Sequence, residues 1–375
     1  MQKNIAIIGS TGSIGKQTLE VIKAHRSLFR PYAIACHGNT GLLEKQICEF
    51  RPAMAVVYDR KKATELKKKI RKNPRINTII LSGGQGLKRI ATDAETDKVV
   101  FASSGTKALG ALLEAIKMRK GIALANKELL VSAGDLVMSL ARKYKVKIIP
   151  IDSEHSAVFQ CIQGEDPKNI EKIILTCSGG PFYGMQKNKL ANISALEALR
   201  HPVWKMGREI TLDSATLMNK AFEIIEAKHL FGLKVEQIEV VIHPEGIIHS
   251  LVQFKDGSVK AQISCPDMRL PITYALSYPN RVKTHWPRID LAKISKLTFL
   301  KPDFSIFEGP ELAYKAAKEG GNRPAALLRA NRAAAKAFLR GEITFDRIYP
   351  ALKKELGKIK PAGHAGGREI RKIFR

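Results

Sequence analysis

The sequence predicts an α/β fold made of an N-terminal Rossmann-like parallel sheet, a central α+β domain and a C-terminal helical bundle. Three features carry that expectation. Strand-like apolar runs alternate with helical segments through the first 150 residues, the pattern of a doubly wound parallel sheet. A glycine-rich turn stands between the first strand and the first helix. From residue 310 to 356 the chain is rich in Ala, Leu and Lys at helical period.

Residues 4–8 (Asn-Ile-Ala-Ile-Ile) read as a short buried strand. Gly9-Ser10-Thr11-Gly12-Ser13-Ile14-Gly15 follows, and Thr18, Leu19, Val21 and Ile22 give the next helix its inner face. Glycines at 9, 12 and 15 let the backbone turn and approach a pyrophosphate at a helix N-terminus. The spacing is G-x-x-G-x-x-G, so its position after the first strand says more than the glycines alone.

Strands are expected at 32–36, 54–58, 78–81, 98–102, 121–125 and 146–151. The second ends at His37-Gly38-Asn39, without the acidic residue that grips the ribose of NAD. That absence tilts the coenzyme towards NADP. Asn126-Lys127-Glu128 closes a later strand at the same edge. Lys127 either pairs with Glu128 on the surface or faces the predicted crevice.

Asp152-Ser153-Glu154-His155 ends the strand 146–151. Ligands bind outside the carboxyl ends of such strands. Asp152 and Glu154 would point the same way in extended chain, and two carboxylates suit a hard divalent cation. The alternative is a helix cap, with Asp152 or Ser153 starting a helix over 156–162.

Beyond residue 157 the texture changes. A strand at 172–177 runs into Ser178-Gly179-Gly180-Pro181-Phe182, small residues suited to an anion-binding turn. His201-Pro202-Val203-Trp204-Lys205-Met206-Gly207 is a loop, read either as a mobile lid or as a core-packed Trp. Thr211 to Ser214 is expected to cap a helix over 215–228. Asn219, Lys220 and Glu223 would form its polar stripe, opposite Leu217, Ala221, Ile224 and Ile225. That stripe faces solvent, or converges with the cap hydroxyl on a phosphate and a metal. Strands at 235–242, 247–254 and 259–263 follow, with His249 inside the sheet as an ordinary structural histidine. Residues 266–304 read as a Pro-rich linker, and the glycine-rich basic tail 357–375 as partly disordered.

Composition sets the class. The chain has 375 residues, 45% of them hydrophobic, enough for two or three cored domains. No apolar run is long enough for a membrane span, and Met1-Gln2-Lys3-Asn4 lacks the shape of a signal peptide. Five scattered cysteines read as free thiols in a reducing cytoplasm. The net charge of +28 raises nucleic-acid binding as an alternative. The densest basic run, 60–72, carries Leu66 and Ile70 at helical spacing and reads as a solvated helix face. Aromatics make up 6% and do not interleave with the basic runs, so nucleic acid is not expected as a partner.

Seven motifs occur in order: GSTGSIG from Gly9, ALANKE from Ala123, DSEHSA from Asp152, SGGPF from Ser178, HPVWKMG from His201, DSATLMNKAFE from Asp213 and IHPEGIIHS from Ile242. Together, across residues 4–350, they closely resemble the 1-deoxy-D-xylulose 5-phosphate reductoisomerases. The resemblance implies a cytoplasmic homodimeric enzyme of the methylerythritol phosphate route to isoprenoids. It would use NADPH with Mg²⁺, Mn²⁺ or Co²⁺, and its substrate would be a small phosphorylated sugar. It implies Asp152, Glu154 and Glu223 as metal ligands, catalytic together with Lys127. Ser153 and Lys127 would contact substrate hydroxyls. Ser178, His201, Ser214, Asn219 and Lys220 would surround the phosphate. Trp204 would belong to the lid and His249 to the pocket wall. Thr11, Gly12, Ser13, Ile14, His37, Gly38, Asn39, Asn126, Glu128 and Gly207 would bind the coenzyme.

On the same basis residues 1–150 are the NADPH-binding domain, 151–280 the catalytic domain, 281–309 a linker and 310–375 the helical domain with its basic tail. The chain departs from the family pattern at Gly38, where relatives carry a basic or polar side chain for the 2′-phosphate. It departs again at Leu328-Arg329-Ala330-Asn331-Arg332, which places Arg332 at an acidic position. Another NADP-linked oxidoreductase, such as a sugar-phosphate dehydrogenase, is the competing enzyme class. The joint presence of DSEHSA and NKAFE argues against it.

Overall fold

The computed structural model of the protein describes residues 2–200 and 207–363. The chain forms two compact units. The first comprises Met1–Leu129, Val137–Ser156 and Asp267–Trp286; the second comprises Leu130–Leu136, Ala157–Pro266 and the chain from Pro287 onward.

The first unit alternates strand and helix: β1 (Lys3–Ile8), α1 (Ser13–Ala24), β2 (Phe29–Cys36), α2 (Thr40–Phe50), β3 (Met54–Val57), α3 (Arg60–Arg71), β4 (Ile79–Ser82), α4 (Gly83–Thr92), β5 (Lys98–Phe101), α5 (Leu109–Lys117), β6 (Gly121–Leu124), α6 (Lys127–Tyr144) and β7 (Ile148–Pro150). The seven strands form one parallel sheet in the order β4-β3-β2-β1-β5-β6-β7. Every residue of β3 and β5 is buried, as a sheet covered on both faces requires. The register keeps the carboxyl ends level. Ile8 lies beside Ala35 and Phe101, Cys36 beside Val57, Phe101 beside Leu124, and Leu124 beside Pro150. Whatever follows these strands is therefore delivered to one edge.

In the second unit, α7 (Ser153–Cys161) leads to β8 (Ile170–Cys177), α8 (Ala195–Ala198), α9 (Arg208–Ala215), α10 (Met218–Phe231), β9 (Ile238–Ile242), β10 (Ile248–Phe254) and β11 (Val259–Ile263). Its sheet has the order β11-β10-β8-β9, with β8 and β9 parallel and the other pairs antiparallel. After α11 (Arg269–Ser277) come α12 (Leu291–Ile294), α13 (Gly309–Glu319), α14 (Arg323–Leu339) and α15 (Ile348–Gly357). One apolar core joins Ile173 and Leu175 of β8, Phe222 and Ile225 of α10, Ala313 of α13, Leu327 and Phe338 of α14 and Leu352 of α15. Among the described residues, no helix is long and apolar enough to cross a membrane.

Three expectations need correction. The helix expected over 215–228 starts later, as α10 (Met218–Phe231), and the residues expected to cap it belong to a separate helix, α9 (Arg208–Ala215). Leu217 sits between α9 and α10 in the left-handed region, at φ 51°, so Asp213 and Ser214 end one helix rather than cap the next. No Gly or Pro signals that break. The Pro-rich stretch 266–304 contains α11, with seven buried residues from Pro271 to Ser277, beside α1 and β7 in the first unit. The early part of the expected disordered tail is tied down. Asn322 donates to Lys360 O at 3.0 Å and accepts from Ala362 N at 2.9 Å.

Candidate active site

The glycine turn after β1 is shaped by close approach. Gly9 has φ +102°, and a Cβ there would lie 2.5 Å from Ser103 N. A Cβ on Gly15 would lie 2.1 Å from Gly9 O. Only glycine fits either position. Gly12 is the N-cap of α1 and gives it no side-chain cap, so the first N–H groups of α1, beside Ser13 and Ile14, form the positive end of its dipole. Thr11 is half-buried and Gly12 and Ser13 are exposed. At the next strand end, His37 and Asn39 are exposed, and Asn39 caps α2 by accepting from Leu42 N at 3.2 Å.

Asn126 and Glu128 brace the loop after β5. Asn126 Nδ2 donates to Ser103 O and, at 2.8 Å, to Gly105 O, while its Oδ1 accepts from Leu129 N at 3.3 Å. Glu128 Oε1 accepts from Gly105 N at 2.8 Å. That use of Glu128 leaves Lys127 to a different carboxylate.

Lys127 Nζ lies 2.9 Å from Asp152 Oδ2. His155 Nδ1 lies 3.1 Å from Asp152 Oδ1, which also accepts from Glu154 N at 3.2 Å. Burial alone would lift the Asp152 carboxyl. The Lys127 ammonium and the His155 ring outweigh it and hold that carboxyl well below the usual range. Asp152 and Glu154 are not in extended chain, since α7 begins at Ser153. Even so, each offers a carboxylate oxygen within 4.8 Å of the other. The cap and the ligand readings are thus compatible: one oxygen of Asp152 serves the helix start while its carboxylate stays beside that of Glu154. Ser153 Oγ donates to Glu154 Oε2 at 2.6 Å. His155, fully buried on Asp152, had no assigned role in the sequence, although the Asp-x-x-His spacing on a helix start could have found it.

In the second unit, Ser178 follows β8 directly. Gly179 and Gly180 have φ +85° and +73°, and a Cβ on Gly180 would lie 2.8 Å from Ser214 O. Gly180 thus lets the turn after Ser178 approach the backbone of Ser214. Asn331 of α14 donates to Asp213 Oδ1 at 2.8 Å and fixes the end of α9. In α10, Asn219 and Lys220 both donate to Glu223, and Lys220 also donates to Thr176 O of β8. Lys220 and Glu223 are 4% and 1% exposed. Of the two readings left open for this stripe, the solvent-facing one fails for Lys220 and Glu223, which form a buried ion pair. His249 of β10 is buried, and its Nε2–H donates to Ser264 O at 3.2 Å. Burial lowers its pKa to about 4, and the Lys220 charge acts in the same direction. Gly207 is exposed at the start of α9. His201 and Trp204 lie outside the described residues.

Comparison with known proteins gives the family. A family model described as 1-deoxy-D-xylulose 5-phosphate reductoisomerase matches residues 5–134. Its C-terminal-domain model matches 148–231, and a second, described as DXP reductoisomerase C-terminal domain, matches 263–373. A relative from Bacteroides fragilis named 1-deoxy-D-xylulose 5-phosphate reductoisomerase is 46% identical over 358 residues, 96% of this chain and 92% of its own. The chain belongs to the 1-deoxy-D-xylulose 5-phosphate reductoisomerase family. The reductoisomerase of Ruminiclostridium cellulolyticum is 48% identical over 354 residues, 94% of this chain and 92% of its own. The solved reductoisomerase of Zymomonas mobilis in complex with NADPH superposes with a TM-score of 0.92 at 35% identity, covering 100% of this chain and 96% of that one. A reductoisomerase in complex with NADPH, fosmidomycin and magnesium superposes at 0.90 with 41% identity, covering 99% and 90%. The α/β fold read from the sequence is the reductoisomerase fold. The family match also extends past residue 350 into the basic tail, which the sequence motifs alone did not reach.

Proposed function

We propose that this chain converts 1-deoxy-D-xylulose 5-phosphate to 2-C-methyl-D-erythritol 4-phosphate, using NADPH and a divalent cation, Mg²⁺, Mn²⁺ or Co²⁺. One observation carries the reading. The carboxylate pair Asp152 and Glu154 stands at the carboxyl edge of a sheet whose first turn is a glycine loop, in a chain matched to reductoisomerases over 96% of its length.

The donor set fits a hard cation. Asp152, Glu154 and Glu223 offer only carboxylate oxygens, the ligands such ions take. The glycine loop fits a coenzyme pyrophosphate, since Gly9 and Gly15 allow the close approach that a Cβ would block. When bound, the cation supplies Lewis acidity to adjacent carbonyl and hydroxyl oxygens, and the coenzyme supplies hydride.

The chain's own residues do the rest. Thr11, Gly12, Ser13 and Ile14 hold the pyrophosphate at the start of α1. His37, Gly38 and Asn39 meet the adenosine ribose. Asn126 and Glu128 keep the loop after β5 in place beside it, and Gly207 is assigned to the coenzyme by the family motif. Lys127 anchors Asp152 and, with Ser153, donates to the substrate hydroxyls. Ser178, Ser214, Asn219 and Lys220, with His201, take the phosphate. Lys220 is the lysine of that set, and its ammonium adds a full positive charge opposite the phosphate. His249 stays neutral near pH 7 and lines the pocket as an uncharged wall. Trp204, outside the described residues, is assigned to the lid by the family motif.

A homodimer in the cytoplasm completes the reading. β11 is an edge strand that exposes Val259 and Ile263, an apolar edge that a second copy would cover. All five cysteines are free thiols, as in a reducing compartment. Sedimentation of the purified chain as a monomer would remove the dimer.

The central experiment follows NADPH oxidation with 1-deoxy-D-xylulose 5-phosphate, with and without a chelator. Turnover abolished by the chelator and restored by Mg²⁺ or Mn²⁺ is the expected result. Metal-independent turnover, or none, overturns the proposal.

A further inference from the structure

Gly38 raises the question of what grips the coenzyme's 2′-phosphate in this chain. A dinucleotide fold meets the ribose just beyond the end of its second strand, with an acid for the free hydroxyl or a nearby cation for the phosphate. Here that place holds His37-Gly38-Asn39, with neither an acid nor a cation at Gly38. Gly38 has no left-handed φ to require glycine. Its missing side chain instead leaves room for a neighbour. A Cβ on Gly38 would lie 3.4 Å from both Cδ and Nζ of Lys62.

Lys62 reaches that point because the register puts Cys36 of β2 beside Val57 of β3. Backbone bonds continue the match, from Tyr58 N to Cys36 O at 2.9 Å and from Asp59 N to His37 O at 3.0 Å. Lys62 lies in the first turn of α3, and its Nζ donates to Gly38 O at 3.2 Å. Its charge already acts on the neighbouring Cys36 thiol. The acid nearby, Asp59, is spent on the helix start, accepting from Lys61 N at 3.0 Å and Lys62 N at 3.2 Å. Other cations stand close. Lys107 Nζ lies 4.8 Å from the centre of the Tyr58 ring, which in turn lies 5.4 Å from the His37 ring.

The geometry points to Lys62 as the residue that reads the 2′-phosphate, supplying from α3 the cation that Gly38 lacks at the end of β2. The inference rests on the coenzyme reading above. Lys62 now donates to a neutral carbonyl. A phosphate oxygen in the same place adds a negative charge opposite the ammonium, an attraction that a free 2′-hydroxyl does not offer, so the exchange favours the phosphorylated coenzyme. The basic stretch 60–72 thus places Lys62 at the ribose position, on a helix whose buried face is Ala63, Leu66 and Ile70.

The test is binding, without turnover. Calorimetry gives Kd for NADP⁺ and NAD⁺ with the full-length wild type, Lys62→Ala and the double variant Lys62→Ala/Gly38→Arg. Lys62→Ala is expected to weaken NADP⁺ about tenfold or more and NAD⁺ less than about twofold, the loss of one charged bond. The double variant, with its cation moved to position 38, is expected to regain most of the NADP⁺ affinity. Equal loss for both nucleotides assigns Lys62 a structural role and overturns the inference, as does an unchanged preference. A wild type that does not prefer NADP⁺ overturns the coenzyme reading itself, and the Lys62 inference with it.

Discussion

Lys127 Nζ and Asp152 Oδ2 lie 2.9 Å apart, with side chains only 10% and 11% exposed. The pair is made by strand register. Leu124 of β6 lies beside Pro150 of β7, so the residues that follow the two strands emerge together. Neither local sequence contains its partner. The ammonium fixes the carboxylate in its ionised form, and the carboxylate fixes the ammonium at the sheet edge.

Lys127→Met tests that relationship. The variant keeps an apolar stem and loses the charge. Asp152 loses its strongest cationic neighbour, and the substrate loses a donor. kcat/KM for 1-deoxy-D-xylulose 5-phosphate is expected to fall on the order of a hundredfold or more, the scale of misplacing one reacting group. Coenzyme Kd should stay within about threefold. A variant with near-normal kcat/KM would take Lys127 out of the site.

Gly15→Ala probes the coenzyme loop. The added methyl would sit 2.1 Å from Gly9 O, a backbone atom that cannot swing away. Overpacking of this kind costs about 1–3 kcal/mol, and the loop must open to accommodate it. A lower Tm and at least tenfold weaker NADPH binding are expected together. Wild-type values of both would show that the turn tolerates a side chain.

Glu223→Gln keeps shape and removes one charge. Asn219 and Lys220 donate to different oxygens of Glu223, so the oxygen of Gln keeps one bond and its N–H group faces the other donor. A modest drop in Tm is expected with the fold kept, while one of the three proposed anionic ligands is lost. Activity is expected to vanish at limiting Mg²⁺ or Mn²⁺ and to return only in part at high metal. Full activity at limiting metal contradicts the ligand assignment.

Lys220→Ala separates substrate from coenzyme. Its KM for the phosphorylated substrate should rise by about tenfold or more, as loss of a charged hydrogen bond implies. NADPH affinity should hardly change. Parallel losses for the two ligands would place Lys220 elsewhere.

Much of this was legible in the sequence, and the failures have physical causes. The parallel sheet announced itself because doubly buried strands are continuous apolar runs, and all of those expected appear within a few residues. Signals that depend on a distant partner were invisible. Leu217 separates α9 from α10 where no Gly or Pro stands; it is buried and at φ 51°. The helix α11 hides in a Pro-rich stretch because its burial comes from α1 and β7, both far away in sequence. Lys98 was read only as a strand residue. It is buried, and its Nζ donates to Ala275 O and Leu276 O at the end of α11. Site residues with motif partners, such as Asp152 and Glu223, were named. His155 and Asn331, which act by holding those neighbourhoods, were not. Lys62 was read as part of a solvated helix face, because only the register of β2 and β3 reveals what it faces.

His249 makes the protein's stability depend on pH in a stated window. Burial lowers its pKa from 6.5 to about 4, helped by the Lys220 and His243 charges and opposed by the carbonyls of Ser264 and Cys265. The folded state thus prefers the neutral ring, and between pH 4 and 6.5 the unfolded chain binds the extra proton. Stability from this group is complete above the unfolded value. It is lost as the pH falls towards the folded one, with no further change below. The full effect is at most on the order of 3 kcal/mol, from about 1.4 kcal/mol per pKa step. Asp152 also destabilises the fold in acid, so the wild-type curve alone cannot isolate His249. Urea midpoints of wild type and His249→Gln, compared from pH 7 to 4.5, subtract the shared part. The wild type should lose more stability than the variant over that range. Parallel curves would mean that His249 takes up its proton in the folded state as readily as in the unfolded chain.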